Sequence, residues 1–92
     1  MDRVLQTLGL AYRAKRVILG EDILDNISNV KLVIIASDIS EKSRERFLKK
    51  CSYYEIKYID SFSSDEISSA LGKNNIKVVG IIDEGFKKSL LK

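Results

Sequence analysis

Histidine, proline and tryptophan are absent from these 92 residues, and cysteine occurs once, at Cys51. Without histidine no Ser–His or Cys–His catalytic pair can form. A single cysteine cannot build an internal disulfide or a structural zinc site. A lone thiol suits a reducing compartment, so cytoplasmic residence is expected. Neither GxxxxGK[ST] nor GxGxxG occurs, which excludes both common nucleotide-binding loops. No apolar run approaches the roughly 20 residues of a membrane span, and the first residues lack a signal peptide's apolar stretch. Carboxylates such as Asp25, Glu55, Asp60 and Asp83 stand apart, with no spacing that suggests an acid–base pair. The absences describe a poor enzyme and favour a binding module, with no cofactor, no metal and no membrane partner expected.

What is present is ordinary globular composition, 45% apolar and 32% charged. The length predicts a single domain, residues 1–92, with one modest core. Sixteen Lys and Arg against 13 Asp and Glu leave +3. That mild excess is compatible with nucleic acid without being diagnostic of it.

The most informative stretch is Lys31–Ser40, KLVIIASDIS. A strand that is apolar at every position, Leu32 to Ile35, is covered on both faces, which points to a sheet between helix layers. Ligands of open α/β sheets are met at the carboxyl ends of strands, so the Ser37–Asp38 corner is a place to look for function; a plain turn and helix cap is the alternative. Elsewhere Val4, Leu5, Leu8, Ala11 and Tyr12 recur at helical spacing and predict a helix over Asp2–Lys15. Gly9 inside it costs about 1 kcal/mol against alanine, which points to close packing. Val17–Leu19 is a minimal strand. Gly20, Glu21 and Asp22 open a short helix with Ile23, Leu24 and Ile27 buried, ending near Ser28–Asn29. Asp38 and Glu41 are spaced as a capping box, reinforced by Ser40, for a helix over Ser40–Ser52 that buries Phe47, Leu48 and Cys51. Ile56–Ile59 is a strand. Ser63 and Glu66 form a second box before Ile67, Ala70 and Leu71, with Gly72 as the stop. Lys77–Ile82 is the last strand, and Asp83–Lys92 the last helix, buried through Phe86, Leu90 and Leu91. The alternation α-β-α-β-α-β-α-β-α implies an α/β, three-layer α-β-α sandwich on a four-stranded mixed sheet.

Three segments gather polar groups outside the core. In the first, Lys15 and Arg16 precede a strand that ends at Gly20, Glu21 and Asp22. Backbone N–H groups at a helix start suit phosphate, and carboxylates can accept from base edges; a well-capped helix after a basic turn remains the alternative. The second is Lys73, Asn74 and Asn75 with Ile76 and Lys77, competent for bases and phosphates but also an ordinary turn. The third is the basic face of the middle helix, Lys42, Arg46, Lys49 and Lys50, which reads as a solvated surface. Tyr53, Tyr54 and Tyr58 could stack on bases or pack beside a strand.

The succession LGLAYRAKRVILGE (Leu8–Glu21), LVIIASDIS (Leu32–Ser40), KKCSYYEIKYI (Lys49–Ile59) and ALGK (Ala70–Lys73), closed by VVGIIDEGFKKSL, resembles the ribosomal-protein family of kink-turn RNA binders, in its bacterial YlxQ-type branch. The resemblance covers nearly the whole chain. It implies an α-β-α sandwich and a non-enzymatic protein that holds RNA by a Gly-x-Asn-Glu-x-x-Lys segment, assisted by the loop before the last strand. Carried over, the glycine is Gly20, while Asp22, Ile23 and Asn26 stand where the family has Asn, Glu and Lys. The assisting loop falls on Lys73–Ile76.

The resulting expectation is a monomeric protein that docks on structured RNA, kink-turn or ribosomal, and through it on the ribosome. Its contacts would be Lys15, Arg16, Gly20, Glu21, Asp22, Asn26, Lys73, Asn74 and Asn75. The alternatives are an assembly module that keeps the fold without binding RNA, and the RNA-recognising piece of an RNA-modifying enzyme.

Overall fold

The apolar run Leu32–Ile35 forms strand β2, and all four residues are buried. The structure, a computed structural model, describes residues 2–92. Around β2 the chain order is α1 (Arg3–Arg13), β1 (Val17–Leu19), α2 (Asp22–Asp25), a 3-10 turn at Ile27–Asn29, β2, α3 (Glu41–Tyr53), β3 (Lys57–Ile59), α4 (Ser64–Leu71), β4 (Val78–Ile81) and α5 (Glu84–Leu90). The strands lie side by side as β1-β4-β2-β3. β4 is antiparallel to β1 and β2, whereas β2 and β3 are parallel, so the sheet is mixed as expected.

Successive side chains of a strand point to opposite faces, and this divides β2 between two cores. Leu32 and Ile34 join Val79 and Ile81 of β4 beneath α1, α4 and α5, through Leu8, Ala11, Ile67, Leu71 and Leu90. Val33 and Ile35 join Val78 beneath Ile23, Ile27, Phe47 and Cys51 of α2, the 3-10 turn and α3. These two cores are the physical content of the three-layer sandwich. Gly9 is where α1 meets α4: a Cβ there would lie 2.8 Å from the Ala70 carbonyl oxygen. Its missing side chain lets the two helices touch, as the sequence suggested.

Several local expectations are corrected. α1 stops at Arg13, because Lys15 adopts the left-handed conformation at φ 59°. The Lys15 and Arg16 N–H groups turn back to the carbonyls of Tyr12 and Ala11, a Schellman ending. Glu55 closes α3 in the same way at φ 56°, and Gly72 closes α4 at φ 67°. α2 is a single turn. Leu48 and Ala70 are half-buried, and Leu91 is 40% exposed, so none of the three anchors a core. The box expected between Asp38 and Glu41 does not form. Ser40 caps α3, its Oγ accepting from the Ser43 N–H, while the box at Ser63 and Glu66 is complete.

Candidate nucleic-acid interface

The sheet order decides which loops meet. Leu19 pairs with Val79, so the end of β1 lies beside the start of β4. Ile35 pairs with Val78, so β2 ends there too and delivers the chain into α3. Gly20, Asn75 and Lys77 therefore line one recess of about 210 Å³, together with Glu21 and the first turn of α3 at Ser40 and Ser43. Small-molecule sites are usually about 300–1,000 Å³, so this recess suits one group of an extended ligand better than a whole small molecule.

Gly20 is left-handed at φ 59°, and nothing lies within 4 Å of where a Cβ would stand. Its N–H is taken by the Val78 carbonyl, and the Ile23 and Leu24 N–H groups by the carbonyls of Gly20 and Glu21. Only the Glu21 and Asp22 N–H groups remain without a backbone acceptor. A one-turn helix adds little dipole to them, so the corner is a weaker phosphate cradle than the sequence suggests. The Glu21 carboxylate pairs with the Arg46 guanidinium of α3, which offsets its negative charge beside the recess. Asn26 is exposed, its side-chain amide folded back to donate to the Asp22 carbonyl. Ile23 is wholly buried and cannot reach a ligand.

On the other side of the recess, Asn75 is left-handed at φ 59°. The loop is pinned by Ser68, whose buried Oγ accepts from the Ile76 N–H at 2.8 Å and donates to its carbonyl. Sequence reasoning missed Ser68, because a serine inside a helix carries no signal of a partner eight residues on. It also left Lys77 as a flank of its loop. Asn74 is exposed, and the Lys73 ammonium lies 5.8 Å from the Tyr12 ring centre, toward α1. Lys15 and Arg16 are not brought to Gly20. β1 separates them by roughly 13 Å from Arg16 to Gly20 at the rise of an extended strand. Arg16 instead faces Asp83 across 3.8 Å, its carbonyl accepting from the Ile82 N–H.

The Ser37–Asp38 corner is structural. The Ser37 N–H donates to the Phe62 carbonyl, and the Asp38 carboxylate accepts from both the N–H and Oγ of Ser64. Those bonds, the Ser64 hydroxyl first, hold the Asp38 carboxyl below its usual value of 3.8. The corner thus joins β2 to α4. Burial pushes the Cys51 thiol up to about 11, consistent with a core residue and not a nucleophile. Among the described residues, no group of three or more acidic or Cys side chains could hold a metal ion.

An α-β-α sandwich with a recess of mixed polar and apolar lining at the strand ends, between the Gly20 and Asn75–Lys77 loops and the start of α3, is the class this geometry defines. The chain belongs to the ribosomal protein L7Ae/L30e/S12e/Gadd45 family, which it matches over residues 2–91. It is 39% identical to the RNA-binding protein YlxQ of Enterococcus faecium, over 94% of this chain and 85% of that one. It is 36% identical to the RNA-binding protein YlxQ of Bacillus subtilis (strain 168), over 91% and 87% of the two chains. Among solved structures, a Bacillus halodurans protein of unknown function superposes with a TM-score of 0.91, at 32% identity over 99% of this chain and 95% of that one. A Giardia lamblia 15.5kD RNA binding protein shares the fold, with a TM-score of 0.79 at 18% identity, over 97% and 79% of the two chains. No helix among the described residues is long and apolar enough to cross a membrane.

Proposed function

We propose that this protein is a non-enzymatic RNA-binding protein of the cytoplasm, a single domain acting as a monomer on structured RNA, kink-turn or ribosomal. The observation that carries the reading is the β1–β4 register, which sets Gly20 and the Asn75–Lys77 loop around one recess. A corner without a Cβ admits an RNA backbone closely, Lys77 and Lys73 supply phosphate contacts, and Asn74 and Asn75 can read base edges. Glu21 and Asp22 accept from base amino or imino groups, Arg46 holding Glu21 in place. The RNA-binding relatives at 36–39% identity support the same class. Lys15, Arg16 and Asn26 stand apart from the recess and serve, at most, an RNA that extends along β1 or over α2.

The test is fluorescence anisotropy with a kink-turn RNA and with ribosomal RNA across a potassium chloride series. Phosphate neutralisation releases counterions, so micromolar or tighter binding that weakens as salt rises is the expected result. Absence of binding to both RNAs at low salt overturns the reading. It would favour an assembly module that keeps the fold, for which the buried Ile23 already speaks.

A further inference from the structure

The outward face of α3 is unexplained by the recess. Lys42, Arg46, Lys49, Lys50 and Tyr53 recur at i, i+4, i+7, i+8 and i+11, one stripe along the helix. Of the helix's acids, Glu45 borders the stripe between Lys42 and Lys49 and Glu41 lies further round, toward the side where Arg44 is bound to Asp60 at 2.5 Å. Among the described residues, Lys42, Lys49 and Lys50 make no ion pair. At the far end Tyr53 is 79% exposed, more than any other large apolar side chain described. Its ring packs against Tyr54 in a T-shaped arrangement, with centroids 4.9 Å apart. Lys49, Lys50 and Tyr53 frame a shallow depression of about 280 Å³. An aromatic face held out of the core between two unpaired ammonium groups is the composition of a stacking platform for single-stranded nucleic acid. The stripe also borders the recess, since the neighbouring Ser43 of α3 lines the recess and Arg46 binds Glu21, another of its lining residues. From Ser43 to Tyr53 is roughly 15 Å at the helical rise, the reach of a few nucleotides.

We infer that the α3 stripe is a second RNA site, taking an unpaired strand that leaves the structured RNA at the recess. Lys42, Lys49 and Lys50 neutralise its phosphates, and Tyr53 stacks on one base. The inference rests on the RNA reading above, and the two fail separately. Three RNAs distinguish them: a kink-turn without a tail, the same kink-turn with a single-stranded tail, and the tail alone. Tyrosine emission is observable because the chain has no tryptophan, and comparison with Tyr53→Ala separates Tyr53 from the other three tyrosines.

The tail should tighten wild-type binding roughly tenfold and quench tyrosine emission. Tyr53→Ala should abolish that gain and leave tail-less binding intact, while Tyr53→Phe should keep it, since stacking needs the ring and not the hydroxyl. Lys49→Ala with Lys50→Ala should reduce the salt slope of the tailed RNA by about 1.4, at ~0.7 per lost single-strand phosphate contact. A tail that adds nothing overturns the second site. So does a Tyr53→Ala loss equal for tailed and tail-less RNA, or binding of anionic vesicles with none of the oligonucleotide. Tyr53-dependent binding of the tail alone, with no binding of the tail-less kink-turn, would uphold this site and sink the recess.

Discussion

Gly20 offers the sharpest separation of folding from binding. At φ 59° an alanine would sit in the left-handed region, which costs an L-residue roughly 1–2 kcal/mol. Part of that is offset, by roughly 0.4–1 kcal/mol, because alanine restricts the unfolded chain. No atom lies within 4 Å of the added Cβ, so no clash adds to the balance. Gly20→Ala should therefore lose about 1 kcal/mol, or roughly 4–8 °C in Tm for a domain of this size. Asparagine visits the left-handed region more readily, so Gly20→Asn should unfold within a few degrees of wild type while projecting a larger side chain into the recess. Thermal unfolding by circular dichroism and anisotropy on the tail-less kink-turn RNA are measured on both variants. Both should lose affinity, and Gly20→Asn should lose it with almost no change in Tm. Wild-type affinity in Gly20→Asn would refute the placement of RNA at this corner. An unchanged Tm in Gly20→Ala would refute the energetic reasoning.

The same backbone logic predicts the opposite sign at Lys15: Lys15→Gly should relieve the left-handed strain and raise Tm by a few degrees, about 0.5–1 kcal/mol after the glycine's unfolded-state entropy is subtracted. A lower Tm would contradict it. Gly9→Ala should lower Tm although alanine is the better helix former by about 1 kcal/mol, because the added Cβ would stand only 2.8 Å from the backbone oxygen of Ala70, which cannot withdraw without moving α4, an overpacking cost of roughly 1–3 kcal/mol. A stabilised variant would show that the α1–α4 contact is loose. Asp38 has a folded value below its ordinary 3.8, so its contribution is complete above that pH and is lost as pH falls through the lower native value. Urea midpoints at neutral pH and near pH 3 should therefore converge between wild type and Asp38→Asn; a constant gap between the two proteins would mean the carboxylate's charge is not what holds Ser64.

Burial and periodicity were local enough to be read along the chain. Leu32–Ile35 announced a strand covered on both faces, Ser63 and Glu66 a capping box, Gly72 a helix stop and Cys51 a core thiol, since each depends on neighbours within a turn or on apolar content alone. Gly20 and the loop before β4 could be singled out one at a time, the second site stripe only as a charged face. Pairing was not legible. Whether Asp38 caps its own helix or reaches Ser64, whether Glu21 stays an open acid or meets Arg46, and whether Lys15 and Arg16 join Gly20 all depend on which strand ends lie side by side. The order β1-β4-β2-β3 settled those questions, because hydrogen-bonded register between residues some sixty positions apart fixes loop neighbours that no local pattern encodes. Composition and spacing determined the layers and the caps at Ser40, Ser63 and Gly72; the tertiary register alone decided which polar groups share a surface.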